Sequence, residues 1–298
     1  MAAAVSLREC GSPRRDLLFG IAVGVAAGWA VVTESPAAPP AVLLALLAMA
    51  NARFNGGRRL LRVAAGVAAG ALPCLLVLMV YNTLAFDSPF RIGYSLGIPQ
   101  DWPLMQQGLM GVTYPKADAL YQILVGRYRG LLPLAPVVGA APLGLWLLWK
   151  HANARASVLV ITVIAVYYVL FNASFEAWHG GATYGPRYLS PALPFLCLPL
   201  AILWTRGVRV LRWLLAALAF YGAFLSLVAV STCPMPPEIE DSPVKYFLWP
   251  LFRAGNLSRN LGMSTGLRGL ASLIPLLLIL GASSAGWVWL RKQPGTQP

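Results

Sequence analysis

Polar residues along this chain come in clusters, and long apolar runs separate the clusters. "LLFGIAVGVAAGWAVV", "LLPLAPVVGAAPLGLWLLW", "SVLVITVIAVYYVLFNAS" and "GLASLIPLLLILGASSAGWVWL" approach or reach the roughly 20 residues that cross a bilayer as a helix. Eight such segments can be drawn: 17–33, 38–53, 61–86, 131–149, 157–174, 188–204, 208–231 and 269–290. The second is the shortest and could be a hairpin partner of the first. The pattern predicts an all-α, polytopic transmembrane helical bundle of about eight spans. One membrane domain, 17–290, lies between a polar segment, 1–16, and a short tail, 291–298. No period of 20–50 residues recurs, so a repeat array is not indicated.

Composition agrees with the pattern. Only 11% of the 298 residues are charged and 58% are hydrophobic; a soluble domain carries about 25% charged residues. A net charge of +13 raises the question of nucleic acid. The basic residues, however, sit at the ends of apolar runs rather than on one soluble face, which argues for membrane topology and against a nucleic-acid partner. Membrane lipids are the expected partners. Cys10, Cys74, Cys197 and Cys233 are scattered, with neither zinc spacing nor a disulfide framework. Arg14 and Arg15 before an apolar run suggest a secretory leader, but the run is long and another follows at once. It is read as a retained span.

Charge asymmetry orients the bundle. With the N-terminus cytoplasmic and all eight segments crossing, 14 of the 23 basic residues fall on short cytoplasmic connections and 9 outside. Dropping the second span would put "NARFNGGRRLLR" outside, a poorer fit. The expectation is a multi-pass plasma-membrane protein with both termini cytoplasmic. Two long outer loops remain, about 87–130 and 232–268. In the first, Leu120, Leu124 and Tyr128 follow Pro115 at i, i+4 and i+8, the spacing of a helix lying on the membrane surface. A lid packed on the spans is the alternative.

The chemistry concentrates in "EAWHGGATYGPRYLSPALPFL", Glu176 to Leu196. Its sixth span would begin on the outer side, where free helical N–H groups favour an anion. Arg187 can fork two donors onto a phosphate. Gly180, Gly181 and Gly185 let backbone approach a ligand, and Pro186 suits a first helical turn. Glu176 and His179 are three residues apart, so a helical turn would give them a common side as proton-transfer candidates. Trp178, Tyr184 and Tyr188 offer flat faces for a sugar ring, or interfacial anchors. Arg127 and Arg129 of "GRYRG" are a second anion contact or ordinary snorkelling cations. Glu34, on the turn between the first two spans, is a candidate acid or a solvated one. No metal site is indicated. A divalent cation on Glu238, Glu240 and Asp241 is the only cofactor these residues admit, and a solvated acidic loop is the commoner outcome. The "NAS" at Asn172 and "NLS" at Asn256 match the N-glycosylation pattern and are given no weight.

Several stretches together resemble a known family. "GWAVVTESPAA", "YNTLAFDSPFRIGY", "GRYRGLLPLAPVV", "WHGGATYGPRYLSPALPFL" and "NLGMSTGLRGLASLIPLL" are similar to the C-terminal part of bacterial GT-C type membrane glycosyltransferases, the dolichyl-phosphate-mannose protein mannosyltransferase-like enzymes. The similarity runs from about residue 17 to 290, and "GGATYGPRYLSPALPFL" is its most specific piece. It implies an all-helical bundle, a polyprenyl-phosphate sugar donor and transfer on the extracytoplasmic side of a bacterial inner membrane. Arg187, with Arg127 or Arg129, would hold the lipid phosphate. That family carries its principal acid in a long first outer loop, whereas here the first outer connection is "TESPAAPP". The chain therefore looks like such a protein without its N-terminal spans. A lipid-carrier binding or translocating protein without catalysis, and a structural membrane partner, remain the alternative classes.

Overall fold

The computed structural model describes residues 12–54, 56–93, 107–237 and 241–291. Among them it is helical, with no strand and only isolated bridges at Leu109–Val112 and Val112–Phe175. The long elements are α1 (Pro13–Thr33), α2 (Ala38–Arg53), α3 (Gly57–Phe86), α4 (Ala117–Leu124), α5 (Ala141–Trp149), α6 (Arg155–Ser174), α7 (Leu200–Arg206), α8 (Arg209–Thr232) and α9 (Ile274–Arg291).

Seven helical stretches among the described residues are long and apolar enough to cross a membrane. The eighth predicted span is present as a shorter apolar stretch, Pro136–Trp149. So the short member is the fourth segment, not the second. Proline is the cause, since it lacks the N–H of the helical ladder. Pro133, Pro136 and Pro142 divide this run into one α turn at Leu131–Leu134, a 3-10 helix at Pro136–Ala140, and α5. The second segment is a 3-10 turn, Ser35–Ala37, running into α2, and together they reach Arg53.

The chain divides into two compact units. The first comprises 1–116, 141–177 and 189–205; the second comprises 117–140, 178–188 and 206–298.

In the first unit α1 and α3 pack backbone to backbone. Gly20, Gly24 and Gly28 face Val63, Val67 and Ala71, while Gly66 and Gly70 face Leu17 and Ile21, and a Cβ at any of the five glycines would collide with the neighbouring helix. Small residues every fourth position allow this approach, and dispersion with weak polar contacts then replaces the absent hydrophobic drive between helices in lipid. The contacts advance together along both helices, so α1 and α3 run parallel. A parallel pair requires α2 to return the chain over the same length. At the starting end, Asp16 is 2% exposed and bonded by Arg59 Nε at 2.9 Å and Arg62 Nη1 at 3.4 Å. At the other end, Tyr167 of α6 donates to the Pro36 carbonyl at 2.8 Å. The loop at 111–116 also docks there: Thr113 N–H donates to Ser174 O, and Glu176 N–H to Gly111 O, both at 2.8 Å.

The second unit is organised around α8. Val228, Ala229 and Leu248 are buried, with Tyr184, Phe224, Phe247 and Phe252 packed against them. Ser258 N–H closes the following loop onto the Ser231 carbonyl at 2.8 Å. The segment expected as a surface helix or a packed lid is helical as α4. It buries Ala119 and Ile123, with Leu120 and Leu124 half-buried beside them; Tyr128 lies beyond its end, in a turn.

Candidate functional site

The site is built from two glycine-flanked pieces of the second unit, 126–130 and 178–188. In the first, Gly130 N–H donates to Gly126 O at 2.9 Å and folds "GRYRG" into a turn. A Cβ at Gly130 would strike the Gly126 backbone, so the turn closes this tightly only because position 130 is glycine; a Cβ at Gly126 would instead strike Gln122. Arg127 points out and is exposed, whereas Arg129 is fully buried. Its Nη2 donates to the Gly181 carbonyl at 2.9 Å and to the Tyr128 hydroxyl at 3.1 Å, and its guanidinium carbon lies 4.3 Å from the Tyr128 ring centre. Neither Nε nor Nη1 meets a hydrogen-bond partner among the described residues. A buried guanidinium with two donor groups idle is expensive, because a desolvated cation requires a counter-charge or filled donors. The arrangement is competent to bind an anion.

The second piece supplies the wall. Gly180 and Gly181 take left-handed conformations, φ 76° and 69°, which L side chains rarely adopt. That conformation aims the Gly181 carbonyl at Arg129 and its N–H at His179 Nδ1, 3.1 Å away. His179 Nδ1 therefore accepts, which puts the proton of a neutral ring on Nε2. The Trp178 indole meets Tyr128 and His179 edge to face, with centroids 6.2 and 5.9 Å apart. Arg187 is exposed and lies 5.0 Å from the Tyr188 ring centre, with its stem lying over Gly180. Gly185 is buried against Leu134, and the Tyr184 hydroxyl bonds Ser226 at 2.9 Å, which ties the loop to α8.

Several expectations change in detail. The segment from Arg187 is not an α-helix at its start: it is a 3-10 helix to Ala192, then a short α stretch, Leu193–Cys197, then α7. Pro191, Pro194 and Pro199 interrupt the ladder, so a strong helix dipole behind Arg187 is absent. Positions 176–179 form turns, not a helix, and the structure does not give Glu176 and His179 a common helical face. Glu176 belongs to the first unit and His179 to the second. Glu176 is already occupied: Lys116 Nζ lies 2.6 Å from Oε2, and Thr113 Oγ1 donates to Oε1 at 3.4 Å. Glu34, also in the first unit, ends α1; its side chain is exposed and makes no bond to the described residues. Glu238 and Glu240 lie outside the described residues, among which no group of three His, Cys, Asp or Glu could hold a metal ion.

Sequence reasoning also passed over three buried polar groups. Asp16, at the start of the first span, is 2% exposed. Asn172 is fully buried, with neither Oδ1 nor Nδ2 bonded among the described residues. Its signal was a polar residue inside an apolar run, read only as a glycosylation pattern. Tyr168 is 3% exposed on the same helix.

Fold and site together define a multi-pass α-helical membrane protein with a buried, incompletely satisfied arginine beneath a diglycine turn. No family model matches the chain, and none of the curated proteins or solved structures matches it.

Proposed function

We propose that this chain grips the phosphate of a polyprenyl-phosphate lipid at the non-cytoplasmic face of the plasma membrane, as the lipid-binding part of a GT-C type glycosyltransferase. The observation that carries the reading is Arg129, buried with Nε and Nη1 unpaired. Two phosphate oxygens would fill those donors in the forked geometry that guanidinium suits. Arg187 and Arg127 are exposed in the same unit and would draw the anion in. In sugar transfer the leaving lipid phosphate gains charge, which a preorganised cation stabilises.

Replacing Arg129 with Gln should weaken binding of a polyprenyl phosphate by about 1.5–3 kcal/mol, the scale of hydrogen bonds to a charged group. Titration of the lipid into protein in nanodiscs reads the change, and unaltered affinity in a folded R129Q variant would remove Arg129 from the reading. A second reading, lipid-carrier binding without transfer, gains support from the Glu176–Lys116 ion pair, which holds the expected base as a structural carboxylate. E176Q separates the two: a transferase loses turnover and keeps lipid binding, while a carrier has no turnover to lose.

A further inference from the structure

The first unit contains an apolar cavity of about 290 Å³, remote in chemistry from the arginine site. Its walls come from α1 (Val23, Ala27, Ala30), from the following turn and α2 (Ala37, Ala41, Ala48), and from Tyr168, Pro191 and Phe195. Alanine replaces larger side chains along two helices, so a trough is left where neighbouring spans would otherwise interdigitate. It runs from Val23 to Ala30 on α1, about 10 Å at 1.5 Å per residue. Unfilled space of this kind forfeits dispersion contacts on one side of every wall atom.

Two polar groups mark one end. Tyr168 lines the cavity at 3% exposure, and its hydroxyl has no hydrogen-bond partner among the described residues. This end is the one where Tyr167 bonds the Pro36 carbonyl. Glu34 sits at the mouth, with its N–H on the Ala30 carbonyl and its own carbonyl accepting from Ala37 N–H, both at 3.0 Å, so it joins two lining residues. Its carboxylate is exposed and unpaired among the described residues. In the same unit, Lys116 is held by Glu176 and Arg91 donates to the Phe86 carbonyl.

We propose that this cavity seats one hydrocarbon chain of an aminophospholipid, with the Tyr168 hydroxyl on the ester or phosphate-linked oxygen and the headgroup ammonium against Glu34. The apolar walls select a chain, the idle hydroxyl selects a polar atom at its head, and the carboxylate selects positive charge over negative. The inference does not rest on the Arg129 reading.

The test uses the full chain in maltoside micelles with two probes that carry the same diazirine-labelled acyl chain, a phosphatidylethanolamine and a phosphatidylglycerol. Photolabelling is mapped by mass spectrometry. The phosphatidylethanolamine probe should label peptides containing Val23–Ala30 and Ala37–Ala48 saturably, about two- to fivefold more than the phosphatidylglycerol probe, as expected for one exposed ion pair. Ala27→Phe should remove this labelling by filling the trough. Glu34→Gln, on an exposed side chain that the fold does not use, should bring the two probes level without abolishing labelling. R129Q should leave the pattern unchanged, even if phosphate binding is lost. Equal labelling by both probes in the unmodified protein, or labelling confined to peptides outside the lining, overturns the proposal.

Discussion

Arg129 and Arg187 show how much the surroundings of a single residue decide. Both are arginines beside glycines at the edge of an apolar run, and by sequence Arg187 looks the stronger phosphate ligand. In the fold Arg187 rests on Tyr188 in the open, while Arg129 is enclosed with two nitrogens idle. Gly180 is the residue on which both depend. Its φ of 76° and the Arg187 stem above it, 3.0 Å from any added Cβ, make Gly180→Ala unfavourable for backbone and packing alike. We expect a destabilisation of about 1–3 kcal/mol, the cost of a strained left-handed non-glycine residue, together with weakened lipid-phosphate binding because the Gly181 carbonyl swings away from Arg129. Thermal unfolding followed by binding of the same lipid checks both. Asp16 belongs at this scale too. Removing it as D16A takes the carboxylate away from Arg59 and Arg62, and breaking a buried ion pair costs about 3–5 kcal/mol. Thermal shift in detergent should register the loss.

At the scale of elements, α1 and α3 are held by glycine contacts that no larger residue can make. Gly24→Leu should separate the two helices, because the Val67 carbonyl and Ala71 amide occupy the space of the new side chain. Overpacking a tight core costs about 1–3 kcal/mol, so a lower unfolding temperature is expected. Val25→Leu, on an exposed position of the same helix, should be neutral. An equal effect of the two would show that the helices are not in register through these glycines. The glycines of "GIAVGVAAG" were present in the sequence, but their period names no partner; an antiparallel neighbour would satisfy the same spacing. Prolines behaved similarly. Three of them in 131–149 were visible, yet apolar content alone counted the run as a full span, and the ladder breaks appear only in the backbone.

For the whole molecule, the parallel α1–α3 pair gives the second segment a physical reason to cross. An external turn at 34–37, with 53–57 on the cytoplasmic side, is then expected from the distribution of basic residues. A cysteine introduced at Ser35 in a background lacking the native cysteines should react with a membrane-impermeant maleimide added to intact cells. One placed at Gly57 should react only after permeabilisation. The reverse pattern would invert the orientation expected for the spans of the first unit.

Apolar run length, charge scarcity and proline spacing are local properties. They suffice for the all-helical, multi-pass class, because a bilayer demands that each span satisfy its own backbone. Tertiary structure alone decided which polar groups are buried and which are filled. It enclosed Arg129 and left Arg187 open, committed Glu176 to Lys116, and left Tyr168 facing an alanine-lined space. Such assignments depend on contacts between residues distant in sequence, 43 positions apart for Asp16 and Arg59 and 52 for Arg129 and Gly181. Desolvation energy follows those contacts, and no pattern along one strand of sequence records them.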